Sequence, residues 1–171
     1  ECIPQSIFNI GDVDETGKDF KENAILKAKN AFIKTNISSV GDDSGLIVPA
    51  INDEPGLYSA RYAGLNATDS DNRNKLISKL KDKKLESTYA YFFCCIVAVG
   101  MKDQNEVIVC DGKVEGEVRT IERGEKGFGY DPMFYPKGYS ESFAELSSLE
   151  KNRISHRGQA LKKLMDKLNK T

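Results

Sequence analysis

The sequence of 171 residues lacks the features on which several protein classes depend. Its four cysteines form no C-x-x-C pair, which argues against a zinc site or a disulfide framework. Two of them, Cys94 and Cys95, lie in an apolar run and are typical of small buried residues. That run, around Phe92 to Val99, is the longest in the chain, yet it is far shorter than the roughly 18 residues of a membrane span. No signal-peptide pattern opens the chain, so we expect a cytoplasmic protein without a membrane partner.

An excess of charge of either sign is also absent. Lysine and arginine number 25 against 26 aspartates and glutamates, so the formal net charge is -1. This balance gives no positive field for gathering DNA or RNA along a broad surface, and we expect no nucleic-acid partner. Repeats, low-complexity tracts and flexible linkers are missing as well, so residues 1–171 are expected to form a single domain.

Helices are predicted where a capping residue precedes apolar residues at helical spacing. The first helix follows Asp19, matched by Glu22, and the second follows Thr68, matched by Asp71. The last helix begins near Ser155. The expected apolar faces are, in chain order, Phe20, Ala24, Ala28, Ala31 and Phe32; Leu76, Ile77 and Leu80; and Leu161, Leu164, Met165 and Leu168.

Strands are predicted between these helices. Residues 37–50 are expected to form two strands joined by a turn at Gly41–Gly45. The apolar stretch Tyr89–Val99 is expected to be a central strand buried on both faces. Residues 106–119 are expected to form two shorter strands around an Asp111-Gly112 hairpin turn. Because strands and helices alternate, we predict the α/β class with a mixed sheet.

Two acidic segments are candidates for metal binding. The segment Gly41–Gly45 contains Asp42 and Asp43, whose adjacent carboxylates repel each other unless a cation lies between or beside them. Mg²⁺ suits such oxygen ligands, and it commonly takes one or two protein carboxylates together with phosphate oxygens. Residues 12–15 supply further carboxylates. The alternative is that both segments are solvated, Asp-rich loops.

Two further segments are candidates for ligand binding. The glycines of Gly124–Pro132 allow a close approach of the backbone to a ligand, and Phe128 and Tyr130 offer flat surfaces for stacking. Neither the dinucleotide-binding nor the P-loop spacing is present there, and a Gly-rich hairpin corner is the alternative. Basic residues lie at the entry to the last helix, where backbone amides favour the binding of anions. The alternative is a solvent-facing basic turn. These residues are Lys151, His156 and Arg157.

Taken in order, these segments resemble the inosine triphosphate pyrophosphatase family, the Ham1-like dITP/XTP pyrophosphatases, of the bacterial type. The resemblance covers nearly the whole chain. It implies an elongated, two-lobed α/β domain around a long mixed sheet, with a nucleotide between the lobes, and a homodimer. The matching segments are residues 15–20, 23–28, 42–46, 55–56, 58–62, 128–132, 144–146, 150–151 and 155–161.

The resemblance also implies an activity and a set of site residues. The expected reaction is Mg²⁺-dependent hydrolysis of ITP, dITP and XTP, which are small-molecule purine nucleotides, to the monophosphate and pyrophosphate. Asp43 is implied as the proton acceptor and, with Glu15, as a metal ligand, with Asp42 as a candidate helper. Lys27 is implied as a catalytic phosphate clamp. The implied substrate-binding residues are Ser44, Phe128, Gly129, Tyr130, Asp131, Lys151, His156 and Arg157.

One part of the family pattern is missing. The family opens with a strand that ends in a T-G-N-x-x-K phosphate-binding turn, followed by a helix, and no such segment precedes Glu1. Because the other motifs show no decay, we interpret this as an omitted natural N-terminus and not as a truncated, impaired relative. Two alternative functions stay open: a nucleotide-binding protein without turnover, and a Maf-like house-cleaning pyrophosphatase with another base preference.

Overall fold

Helices and strands alternate along residues 2–103 and 105–170, which the computed structural model describes. The helices are α1 (Phe20–Thr35), α2 (Asp69–Asp82), α3 (Ser148–Ile154) and α4 (His156–Asn169). The strands are β1 (Ser39–Val48), β2 (Glu54–Pro55), β3 (Ser87–Val99), β4 (Val107–Arg119) and β5 (Phe134–Pro136). Short 3₁₀ helices cover Gln5–Phe8, Pro49–Ile51, Gly56–Arg61 and Asp131–Met133.

The five strands form one sheet in the order β2-β1-β3-β4-β5. Strand β3 is therefore central, and every residue from Cys94 to Val99 is buried, as its apolar sequence predicts. The prediction is wrong for the first half of the stretch, where Tyr89 is 46% exposed and only alternate residues are buried. Both outer pairs are antiparallel: Ile47 of β1 lies opposite Pro55 of β2, and β4 pairs with β5. The predicted α/β class is confirmed.

The chain divides into two compact units. The first contains the residues up to Asp43, the segment Cys94–Asp111 and the residues from Ala160 onward. The second contains Ser44–Phe93 and Gly112–Gln159. Each unit has its own apolar core. The first core contains Cys94, Ile96, Ala98, Ile108, Cys110, Ala160 and Leu164, and large members of the second are Leu46, Leu76, Leu80, Phe92, Met133, Phe134 and Phe143.

Strand β1 runs unbroken through the acidic segment, so the predicted turn at Gly41–Gly45 is wrong. The reason lies in packing against α1. A Cβ added at Gly41 would lie 2.6 Å from the amide nitrogen of Ala28, so only glycine lets the strand approach the helix this closely. Tertiary contact therefore overrides the turn preference of Gly and Asp at this position.

Strand β4 is also continuous, and the predicted hairpin turn at Asp111-Gly112 is wrong. Ile108, Cys110, Gly112 and Val114 are all buried, while Asp111 is exposed. This alternation continues without interruption through the dipeptide, so both halves present the same face to the core.

The predicted helix starts are confirmed. Asp19 accepts a hydrogen bond from the Glu22 amide at 2.8 Å, and Thr68 forms a reciprocal capping box with Asp71. The last helix begins one residue after Ser155, although α3 precedes it. None of the described helices combines the length and the apolar character that a membrane crossing requires.

The apolar face predicted for α4 needs a correction. Leu161 and Met165 are 45% and 54% exposed, whereas Ala160 and Leu164 are buried. Residues 160, 164 and 168 are spaced by four, and they form the row that packs in the first core. Leu161 and Met165 belong to the neighbouring row on the helix surface.

Candidate active site

In the first unit, two carboxylates converge on one ammonium group. Lys27 Nζ lies 2.6 Å from Glu15 Oε1 and 2.8 Å from Asp43 Oδ1. Glu15 comes from the segment before α1, Lys27 from α1 and Asp43 from β1, so the fold assembles them from separate stretches. We call Glu15, Asn23, Lys27 and Asp43 the carboxylate cluster.

Asn23 is a member of this cluster that was not among the predicted site residues. Its side chain is almost fully buried, and its Nδ2 donates to Asp43 Oδ2 at 3.1 Å. Its Oδ1 accepts a hydrogen bond from the Gly17 amide at 2.8 Å, so Asn23 also ties down the segment that carries Glu15. The one signal in the sequence is its spacing of four residues from Lys27, which places both side chains on one side of α1.

The surroundings of Asp43 alter its proton affinity. Asp43 is only 7% exposed, and burial raises the pKa of its carboxyl, although hydrogen bonds from Lys27 and Asn23 oppose the shift. Burial by itself would lower the pKa of Lys27, but its hydrogen bonds to Asp43 and Glu15 outweigh burial and raise that pKa. Lys27 is therefore an ammonium at neutral pH, and Asp43 is a stronger base than an exposed aspartate.

Asp42 lies on the opposite face of β1 from Asp43, because successive side chains of a strand alternate. Its Oδ2 accepts a hydrogen bond from the Cys94 thiol at 3.6 Å, and its main-chain carbonyl accepts one from Lys27 at 3.1 Å. The two adjacent carboxylates therefore do not face one cation together. The carboxylate that faces a cation together with Asp43 is that of Glu15.

In the second unit, an aromatic ring stands beside two cations. Phe128 is 61% exposed, Lys151 Nζ lies 4.7 Å from its ring centroid and Arg157 Cζ lies 5.7 Å from it. Asp131 is buried; it accepts a hydrogen bond from the Phe128 amide at 2.8 Å and forms an ion pair with Lys151. We call Phe128, Asp131, Lys151 and Arg157 the aromatic–basic cluster. An exposed ring with cations beside it is suited to stacking against a flat, electron-rich ligand.

The other predicted residues of the second unit include Ser44, which is half-buried, and His156 and Tyr130, which are buried. Arg157 Nη2 donates to Ser44 Oγ at 2.8 Å, which brings these two predicted residues together. His156 is buried and stacks on Phe92, with ring centroids 4.7 Å apart. Tyr130 is also buried, and its hydroxyl donates to the Ser59 carbonyl at 2.9 Å. Burial raises the pKa of Tyr130.

Gly129 has partners on α2 that sequence reasoning missed. Its amide donates to Asp69 Oδ2 at 2.6 Å, and its carbonyl accepts from Arg73 Nη1 at 2.9 Å. Neither Asp69 nor Arg73 lies in a recognisable motif, and both are some 60 residues away in sequence. Only the folded chain brings them to the Gly-rich loop.

Comparisons with known proteins agree on one family. The model of the Ham1 family matches residues 2–167. A dITP/XTP pyrophosphatase from Idiomarina loihiensis is 48% identical over 167 residues, which cover 98% of this chain and 83% of that relative. One from Bacillus anthracis is 45% identical over 94% of this chain and 79% of its own length.

Solved structures give the same result. A HAM1 protein from Coxiella burnetii matches with a TM-score of 0.90 at 43% identity, over 99% of this chain and 86% of its own. The Staphylococcus aureus Ham1 protein matches with a TM-score of 0.86 at 43% identity, over 96% of this chain and 84% of its own. On the family model, the relatives and the solved structures together, the chain belongs to the Ham1 family.

Proposed function

We propose that this protein hydrolyses the noncanonical purine nucleotides ITP, dITP and XTP to the monophosphate and pyrophosphate. The observation that carries the proposal is the convergence of Glu15 and the buried Asp43 on the Lys27 ammonium. Support also comes from relatives 44–48% identical over nearly the whole chain, which are named dITP/XTP pyrophosphatases.

Asp43 is the proposed general base. Cleavage at the α-phosphorus needs a water molecule in line with the leaving pyrophosphate and a group that removes its proton. Asp43 suits this task because burial raises its pKa, which makes its carboxylate a better proton acceptor near neutral pH. Asn23 holds one carboxylate oxygen by its 3.1 Å hydrogen bond, which leaves the side chain little freedom to turn.

Lys27 is the proposed phosphate clamp. Its ammonium sits on a flexible stem and is partly exposed, so it can exchange a carboxylate oxygen for a phosphate oxygen without leaving the cluster. As a point charge it would offset the negative charge that the triphosphate brings and that grows on the leaving group.

The carboxylate cluster also fits Mg²⁺. The two carboxylates already converge on a single cation, the Lys27 ammonium, and oxygen ligands are the ones that Mg²⁺ prefers. Within residues 2–103 and 105–170, no three or more His, Cys, Asp or Glu side chains form a ready metal site. Two carboxylates with phosphate oxygens and water are nevertheless a usual Mg²⁺ shell, so Glu15 and Asp43 would hold the ion. When bound, it would neutralise phosphate charge and polarise the phosphoryl group.

The aromatic–basic cluster is proposed to select the base. Hypoxanthine and xanthine carry a keto oxygen at position six, an acceptor, where adenine carries an amino donor. A donor from Arg157 or His156 would therefore favour the keto purines, and adenine would leave a donor facing a donor. The exposed ring of Phe128 provides the stacking surface, with Lys151 beside it.

Two further expectations, on location and on oligomeric state, accompany this function. An enzyme that acts on the nucleotide pool would work in the cytoplasm, and family resemblance favours a homodimer. Light scattering of the purified protein tests the second expectation, since a monomeric mass would contradict it.

The deciding experiment measures pyrophosphate release from ITP, dITP, XTP, ATP and UTP in the presence and absence of Mg²⁺. We expect rapid release from the first three nucleotides, little from ATP and UTP, and a requirement for Mg²⁺. Binding of ITP without release would favour the nucleotide-binding protein, and a preference for UTP would favour the Maf-like alternative.

A matched pair of variants tests the role of Asp43. Asp43→Asn should abolish turnover while the protein still folds and binds ITP, because the amide cannot accept the proton. Asp111→Asn is the control: this aspartate is exposed in the same unit and pairs with Lys163 at 3.2 Å. Normal turnover in Asp43→Asn would refute the assignment of the base.

A further inference from the structure

The loop that carries Phe128 is held by the first turns of helix α2. The Asp69 carboxylate accepts a hydrogen bond from the Gly129 amide at 2.6 Å, and Arg73 Nη1 donates to the Gly129 carbonyl at 2.9 Å. Asp69 and Arg73 are four residues apart, so they lie on the same face of the helix. Both main-chain polar groups of Gly129 are thereby bonded to charged side chains.

Gly129 is a residue that needs such support. Its φ is +59°, and a Cβ placed there would have nothing within 4 Å, so side-chain packing could not hold this position. A glycine loses more conformational freedom on ordering than other residues do. Hydrogen bonds to charged groups are among the stronger ones and can offset that loss.

The Asp69 side chain also fixes the peptide that joins Phe128 to Gly129. The Phe128 carbonyl accepts from the Asp131 amide at 3.2 Å, so both sides of this peptide are bonded. Arg73 is itself oriented by an ion pair with Glu122 at 3.0 Å, and its side chain is only 17% exposed. The exposed ring of Phe128 therefore stands on a peptide whose orientation is set from α2.

We propose that Asp69 and Arg73 are positioning residues for nucleobase binding. They act through Gly129 and hold the Phe128 ring in the orientation in which a purine stacks on it. The inference rests on the proposed function, because it takes a purine nucleotide as the ligand of Phe128.

A double-mutant cycle on ITP hydrolysis tests this role. Phe128→Ala should raise KM about tenfold or more, since a stacking surface for the base is lost. Asp69→Ala should raise KM about three- to tenfold with kcat within about twofold, because the ring is present but less ordered. When Asp69→Ala is combined with Phe128→Ala, KM should rise no further than in Phe128→Ala alone, because the effects of two residues that act through one contact are not additive.

Further variants separate positioning from a general loss of structure. Asp69→Asn keeps an oxygen that can accept from the Gly129 amide, so it should restore KM to within about twofold of the parent. Arg73→Gln weakens the hydrogen bond from Arg73 to the Gly129 carbonyl. This variant serves as the test if Asp69→Ala does not fold. Lys79→Ala is the control on the same helix, where Lys79 pairs with Glu54 at 3.5 Å, and it should leave KM unchanged.

Hydrogen exchange measured by mass spectrometry gives a readout that needs no activity. Peptides covering residues 124–131 should exchange faster in Asp69→Ala than in the parent and in Lys79→Ala. The inference would be overturned if Asp69→Ala raised KM equally in the parent and in Phe128→Ala. It would also be overturned if Asp69→Ala left hydrogen exchange in the loop unchanged. A parent protein that releases no pyrophosphate from ITP would refute the proposed function and would leave the exchange result to decide whether α2 orders the loop.

Discussion

Replacing Asn23 by alanine tests whether this buried amide holds the carboxylate cluster together. The side chain is 1% exposed and makes two hydrogen bonds, one to Asp43 Oδ2 at 3.1 Å and one from the Gly17 amide at 2.8 Å. A hydrogen bond to a charged group contributes about 1.5–3 kcal/mol and a neutral one about 0.5–1.5 kcal/mol. Losing both should therefore lower the free energy of unfolding by about 2–4.5 kcal/mol.

Urea denaturation without nucleotide measures this change, and Asn30→Ala on the same helix is the matched control. Asn30 makes a long, solvent-exposed hydrogen bond of 3.5 Å to the Gly11 carbonyl, so its replacement should change stability by no more than about 0.5 kcal/mol. Asn23→Ala should also lower kcat for ITP by about tenfold or more, because Asp43 loses part of its fixed orientation. Equal stability losses in the two variants would refute the reasoning.

The other predictions concern packing, thiols and pH. Gly41→Ala should destabilise the fold by about 1–3 kcal/mol in urea denaturation, because its methyl group would clash with the backbone of α1; an unchanged midpoint would contradict this. In the native protein, iodoacetamide should modify the exposed Cys2 first, whereas Cys95 should resist, since burial raises the pKa of its thiol to about 11; peptide mapping that finds Cys95 modified first would be the contrary result. Hydrogen bonds from Thr68 lower the pKa of Asp71, so their stabilising effect is present above the unfolded pKa of about 4 and is lost as pH falls through the lower folded pKa. Thermal melts should show a smaller decline on acidification in Thr68→Ala than in the parent protein.

Features set by a few neighbouring residues could be predicted from the sequence. The caps at Asp19 and Thr68 depend on hydrogen bonds within one helical turn, so their residue types are sufficient evidence. The central position of β3 follows from a run of apolar residues long enough to require cover on both faces. In both cases the local pattern and the tertiary environment favour the same structure.

The two wrong turns show where local preference loses to tertiary packing. Gly41 and Gly112 both suggested a change of chain direction, yet each lies inside a long strand. Gly41 is needed because a helix backbone approaches it, a cause that lies in a partner distant in sequence. At Gly112 the alternation of buried and exposed flanking residues outweighs the turn preference of Asp-Gly.

The same distinction applies to the candidate site. Asp43 could be singled out because adjacent carboxylates between glycines are conspicuous in a sequence, whereas Glu15 and Lys27 were implied only by the family resemblance. Once β1 is a strand and not a turn, Asp42 and Asp43 must point to opposite faces, and the second carboxylate beside Asp43 has to come from elsewhere. That carboxylate is Glu15, and the ammonium between the two belongs to the helix that Gly41 allows to pack closely against the strand. The glycine that misled the prediction of secondary structure is therefore a condition for the contact between Lys27 and Asp43.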